Sequence, residues 1–235
     1  IACWAVPSSE TPANLARAKR WVELARARGI ELGTYSLLSS RSIDAANDVV
    51  DRATGKPGGA IFGSAPCLES AWGRRNFADL IAAFDATGLA LLEHDGSYPG
   101  DPCASTRHPG HAGFLDSQWR QWSAIRALYG ALRARGVYLN VPDFYVLAGS
   151  NKTGMGYRES NWSLPRELQV LHARQNVFDG TWTRTPSMGW MFVPLTEYQG
   201  GGAAATIEPL DAHRDDYGRR LDNLLGAGVQ ACFRG

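Results

Sequence analysis

Two hydrophobic rhythms alternate along the chain. Short, nearly unbroken apolar runs, "IACWAVP", "IELGTYSLLSS", "LALLEHDG", "VYLNVPDFYVL", "MGWMFVPL" and "VQACFRG", predict six buried strands. The segments between them place apolar residues three and four apart, the spacing of one helix face. "NLARAKRWVELARARG" carries Leu15, Ala18, Val22 and Ala25 on one stripe and closes on Gly29, a C-cap residue. "NFADLIAAFDATG" aligns Phe77, Leu80, Ile81 and Phe84, and "SQWRQWSAIRALYGALRARG" aligns Trp122, Ile125, Tyr129 and Leu132. "SLPRELQVLHARQNVFDG" opens on Ser163-Leu164-Pro165, a cap followed by a first-turn proline, and "PLDAHRDDYGRRLDNLLGAG" reads as the last helix.

The repeating unit is therefore strand then helix. Apolar strands alternating with helices imply a parallel sheet with covered faces. An open doubly wound sheet and a closed (β/α)8 barrel both satisfy this pattern. No GxGxxG or GxxxxGK[ST] follows any strand, which weakens a nucleotide-binding open sheet. Long polar and aromatic loops follow the strands instead, where a barrel carries its active site. The expected architecture is a (β/α)8 TIM barrel, incomplete at about six βα units. Residues 1–235 would be one catalytic domain, a fragment whose missing flanking segments supply the remaining strands.

Composition narrows the function. With 235 residues, 44% of them hydrophobic, the chain can bury a substantial core. A formal net charge of +1 lacks the basic face that nucleic-acid binding requires, so no nucleic-acid partner is expected. No apolar run is long enough to cross a bilayer and no signal-peptide pattern occurs, so no membrane partner is expected either. The expected location is extracellular or periplasmic. The four cysteines form no CxxC pair. Cys3 and Cys232 fall in strand-like segments as buried thiols, whereas Cys67 and Cys103 lie in Gly/Pro/Ser-rich loops and could pair in an oxidising compartment. Several of the eight tryptophans lie near loops, which suits stacking on sugar rings.

Candidate chemistry gathers where strands end. "LALLEHDG" runs four apolar residues straight into Glu93, His94 and Asp95. Alternation along a strand puts Glu93 and Asp95 on one face and His94 on the other. Two carboxylates on one face raise each other's proton affinity or bind a cation. Alternatively, Glu93 pairs with a neighbouring base and Asp95 caps the Asp-Gly turn. Asp143 ends the next strand, and Asn140, Asn151, Lys152, Arg158, Glu159 and Asn161 crowd a loop too long to be a bare connection. That mix of amide, cation and carboxylate suits a hydroxyl-rich ligand. Glu197 and Tyr198 precede a glycine run after the fifth strand. Asp95, Asp143, Glu159 and Glu197 are thus the carboxylate pool for glycosidic cleavage, which needs an acid and a nucleophile or base. Trp4, Glu93, His94, Tyr98, Asp101, Asn140, Lys152, Arg158 and Tyr198 are the expected sugar contacts. No cofactor is assigned. A rival use of the same segment is a metal-dependent hydrolase built on His94, His108 and His111, because His108-x-x-His111 resembles half a zinc site. A non-catalytic sugar-binding barrel is the third reading.

With those residues in view, the chain resembles TIM-barrel glycoside hydrolases of the α-galactosidase-like clan. The resemblance covers most of the chain in pattern and a few residues in motif. It makes "LLEHDG" the fourth barrel strand and Asp95 the nucleophile, with "IACWAVP" second and "VQACFRG" seventh. It departs where the family's Lys two residues before the nucleophile is Glu93 here. The family's acid, after the sixth strand, corresponds to Glu197 in "GWMFVPLTEY". The resemblance implies cleavage of a glycosidic bond in galactose-like or other polysaccharide-derived sugars.

Overall fold

The structure, a computed structural model, describes residues 3–5, 11–96, 100–142, 154–158, 171, 190–194, 210–226 and 230–234. The chain divides into two compact units, Ile1–Asn140 and Val141–Gly235. The first carries strands β1 (Cys3–Ala5), β2 (Gly33–Leu37) and β3 (Leu91–Asp95) and the start of β4 (Tyr138–Pro142). They lie side by side in chain order, all parallel, with Cys3 opposite Gly33, Gly33 opposite Leu91 and Leu91 opposite Tyr138. Helices α1 (Pro12–Arg26), α2 (Ala71–Thr87) and α3 (Phe114–Ala134) are the crossovers. The second unit holds β5 (Gly154–Arg158), β6 (Trp190–Pro194) and β7 (Gln230–Arg234), again parallel and in chain order. A 3-10 turn over Leu210–His213 leads into α4 (Arg214–Gly226) before β7.

These strands correct the expected (β/α)8 TIM barrel. Among the described residues each unit holds an open parallel sheet, four strands in one and three in the other, and no pairing closes either into a ring. The fold is a small open α/β arrangement with four described helices. The βα repeat is common to open and closed parallel sheets. Closure additionally requires a last strand to meet the first with matched tilt and stagger, and no local pattern encodes that. The loop expected after the fourth strand also contains a strand, β5.

Local signals account for the helices. Thr11 caps α1 by accepting from the Asn14 N–H, with Pro12 in the first turn. Ser70 accepts from the Gly73 N–H to start α2, and Gly88, at φ 72°, ends it in the left-handed conformation. The Asp116 carboxylate accepts from the Ala112 and Gly113 N–H groups ahead of α3. Ala18 and Val22 of α1, Phe77, Leu80 and Phe84 of α2, and Ile125, Tyr129 and Leu132 of α3 are buried, as the stripes predict. The helix expected over 163–180 lies, apart from residue 171, outside the described residues. Among the described residues no helix is long and apolar enough to cross a membrane.

Strands laid down in chain order with right-handed crossovers carry their helices on one face. On β3 that face takes Leu92 and His94, both fully buried. His94 Nδ1 lies 2.8 Å from Tyr129 Oη of α3, and Phe77 of α2 meets the imidazole edge-on at 6.3 Å. Glu93 and Asp95 lie on the opposite face.

His94 consequently carries a pH dependence. Burial, and secondarily the Arg41 charge, push its pKa down to about 3, so the folded protein keeps the ring neutral. The unfolded chain binds that proton below its own pKa of ~6.5. Stability is therefore undiminished above that value and falls as pH drops toward the folded pKa. From this residue the loss reaches about 2 kcal/mol by pH 5. Denaturant titrations at pH 7 and pH 5 should show the difference, and His94→Gln should flatten it; an unchanged slope in that variant would place the proton elsewhere.

Candidate functional site

Parallel pairing of β2 and β3 brings the C-terminal ends of both strands, and the long loops that leave them, to one end of the sheet. Tyr35 lies opposite Glu93 in register, and Leu37 opposite Asp95. The Tyr35 hydroxyl donates to Asp95 Oδ2 at 2.6 Å. Tyr35, Glu93 and Asp95 thus share the face away from the helices. Glu93 is buried, whereas Tyr35, in the middle of β2, and Asp95, at the end of β3, are half-buried. The Leu38 N–H donates to the Asp95 carbonyl at 2.7 Å, joining the two loops at their roots. Ser40, two residues on, sits at φ 58°, a left-handed conformation that costs a non-glycine residue about 1–3 kcal/mol. Beside it the Arg41 guanidinium lies 5.0 Å from the centre of the Trp72 ring. Burial lowers the Arg41 pKa, and Tyr35 partly opposes that shift.

A second cluster stands farther out in the same two loops. Cys67, in the loop between β2 and α2, meets Cys103, His108 and His111, in the loop between β3 and α3. One donor atom from each lies within 4.8 Å of all the others, and all four residues are buried. Cys67 Sγ is 3.3 Å from His111 Nε2, and Cys103 Sγ is 3.4 Å from His108 Nδ1. His108 Nε2 lies 3.0 Å from the Ala46 carbonyl, which can only accept, so Nε2 carries the proton and Nδ1 the lone pair. The Val50 N–H donates to Cys103 Sγ at 3.4 Å. Both thiols are free. The Cys103 pKa is lowered, chiefly because Cys67 donates to it and then because His108 lies alongside; the same pairing and burial raise that of Cys67.

Backbone pairing sets this cluster in place. Val49 and Cys67 donate to the Ala65 and Asn47 carbonyls, and Ala104 donates to the Val50 carbonyl across the two loops. Gln121 of α3 accepts from the Leu68 N–H and donates to the Asp101 carbonyl, holding both loops to one helix. Gly110 lets the histidine turn lie against Glu69, whose carbonyl accepts from the Gly110 N–H.

The residues singled out from sequence separate into distinct places. Asp95 and Glu93 share one strand face. His94 faces the helices as a core residue, away from His108 and His111, so the three histidines do not assemble as the metal-hydrolase reading required. Asp101 is buried, and its Oδ1 accepts from the Ile61 N–H at 2.9 Å, which braces the loop. Trp4 falls in β1, Asn140 in β4 opposite Glu93, and Arg158 in β5. Tyr98, Asp143, Lys152, Glu159, Glu197 and Tyr198 lie outside the described residues. The cysteines were missed as partners of the histidines. Cys103-x4-His108-x2-His111 was the available signal, but its fourth member, Cys67, belongs to another loop.

No family model matches the sequence, and no curated protein matches it. Among solved structures the chain is similar to one described as "Crystal structure of C-terminal domain of putative chitinase from Desulfitobacterium hafniense DCB-2", at a TM-score of 0.33 and 10% identity. The match covers 96% of this chain and 50% of that one, so the chain spans about half the length of its neighbour. So shallow a likeness assigns neither fold nor activity.

The packing at Gly110 is directly testable. A Cβ there would lie 2.6 Å from Glu69 Cβ and closer still to its carboxylate, so the two loops would have to part. Gly110→Ala should cost about 1–3 kcal/mol in denaturant unfolding. Gly130→Ala, in α3 with nothing near the added carbon, should instead stabilise by roughly 0.5–1 kcal/mol. Equal effects from the two would refute the close approach.

Proposed function

We propose that the chain is a hydrolase of glycosidic bonds in which Asp95 acts on the anomeric carbon as nucleophile or base. The observation that carries this reading is the hydrogen bond that Tyr35, in the middle of β2, makes to Asp95, at the C-terminal end of the adjacent parallel strand β3. Ligands of parallel α/β sheets bind at that end. A tyrosine hydroxyl 2.6 Å from one carboxylate oxygen fixes the side chain, which a reaction on a single carbon requires. Arg41 over Trp72, beside the strained Ser40, adds a cation and an aromatic face of the kind that hold hydroxyl-rich rings.

Asp143, Glu159 and Glu197, the other carboxylates singled out from the sequence, lie outside the described residues. Glu93 is less suitable as the companion acid. It precedes Asp95 on the same face at a strand spacing of ~6.6 Å, but it is buried among the strands and not at their ends. A closed barrel is not needed for this chemistry; one strand end and one facing acid suffice.

A panel of aryl glycosides provides the test. On any that the wild type cleaves, Asp95→Asn should lower kcat by roughly 10²–10⁴-fold with the fold intact by circular dichroism. Tyr35→Phe should lower it about tenfold, the loss of one orienting hydrogen bond. Full activity in Asp95→Asn, or no cleavage of any glycoside by the wild type, would remove the proposal.

A further inference from the structure

We propose that Cys67, Cys103, His108 and His111 form a closed tetrahedral site for a zinc-class divalent cation, which clips together the loops that follow β2 and β3. This inference does not depend on the glycosidase reading.

Donor chemistry comes first. Two sulfurs and two imidazoles are the ligand set of structural zinc, which accepts four protein donors without d-electron constraint. Zn–S of ~2.3 Å and Zn–N of ~2.0–2.1 Å in a tetrahedron separate the donor atoms by roughly 3.3–3.8 Å. The sulfur–nitrogen distances of 3.3 and 3.4 Å, with every donor pair inside 4.8 Å, suit that size. Two thiolates neutralise a divalent ion, which a fully buried site demands. On binding, each thiol that is still protonated releases its proton to solvent, and no electron is transferred.

The surroundings are built for this use. The Ala46 carbonyl fixes the His108 tautomer with Nδ1 toward the ion, and the Val50 N–H supports the Cys103 sulfur. Ligating histidines and thiolates characteristically have such partners. His111 turns Nε2 toward Cys67 Sγ at 3.3 Å, which makes Nε2 its donor atom. Coordination through Nε2 gives this buried ring a polar partner that apolar packing does not. Around the four donors the apolar packing is small: Val49 and Val50 pack with the two cysteines, flanked by Ala60 and Ala104. A metal clip that closes long loops contributes more than one that closes short ones.

Four protein donors leave no open position, so the ion is structural and activates no water. Its position makes it a brace for the strand ends where Asp95 stands.

The full chain, expressed with zinc and purified under reducing conditions, should hold about one zinc per chain by elemental analysis. Cobalt added to chelator-stripped protein should give thiolate-to-cobalt charge transfer and the intense visible bands of a tetrahedral site. Cys67→Ser and His108→Gln should each lower the metal content below about a tenth of an ion per chain, while His213→Gln, outside the cluster, keeps it. Chelation should lower the melting temperature, and added zinc should restore it. The proposal is overturned by wild-type protein that retains no zinc and gives cobalt spectra without sulfur charge transfer. A Cys67–Cys103 disulfide in zinc-grown protein overturns it equally. The cobalt spectrum of the wild type decides the matter even if the variants do not fold.

Discussion

Parallel pairing of β2 with β3 is the constraint on which the rest of the first unit depends. Parallel strands send both following loops to the same end of the sheet. The register that sets Leu37 opposite Asp95 starts the two loops side by side, and the Leu38–Asp95 backbone hydrogen bond joins them there. From that shared origin the loops stay in contact long enough for Cys67 to reach the Cys103–His111 segment. An antiparallel pairing would send the cysteine and the histidines to opposite ends of the unit. The thiol–imidazole cluster and the Tyr35–Asp95 pair are both consequences of one register.

The same strand separates two kinds of chemistry by its pleat. His94 and Asp95 are neighbours in sequence, yet their side chains leave the sheet on opposite faces. The helix-side face is dry, and His94 there is held neutral by burial. The other face carries two carboxylates and a tyrosine hydroxyl, with Asp95 half-exposed at the end of the strand. A ring locked between Phe77 and Tyr129 has no route to a substrate on the far side of the sheet.

Within the loops, polar bracing does much of what a hydrophobic core does elsewhere. Gln121, Asp101 and the Ala46 carbonyl hold backbone or ring groups that would otherwise be buried unpaired. Each such contact contributes only about 0.5–1.5 kcal/mol net, but the cost of leaving the group unpaired is larger. This arrangement makes the loops specific in shape, and the proposed metal at their centre adds a cross-link to it.

The sequence by itself determined the elements: all seven described strands but β5 were readable as apolar runs, and the stripes of α1, α2 and α3 identify the residues they bury. Strand alternation likewise separated His94 from Glu93 and Asp95. These are local properties, set by periods of 2 and 3.6 residues. Whether the sheet closes, and which cysteine stands beside which histidine, was decided only by the tertiary structure. Both depend on pairing between segments far apart in the chain, and the βα repeat looks the same in an open sheet as in a barrel. Cys67 and His111 become neighbours through the β2–β3 register and the packing of Gly110 on Glu69, and neither leaves a periodic trace in the sequence.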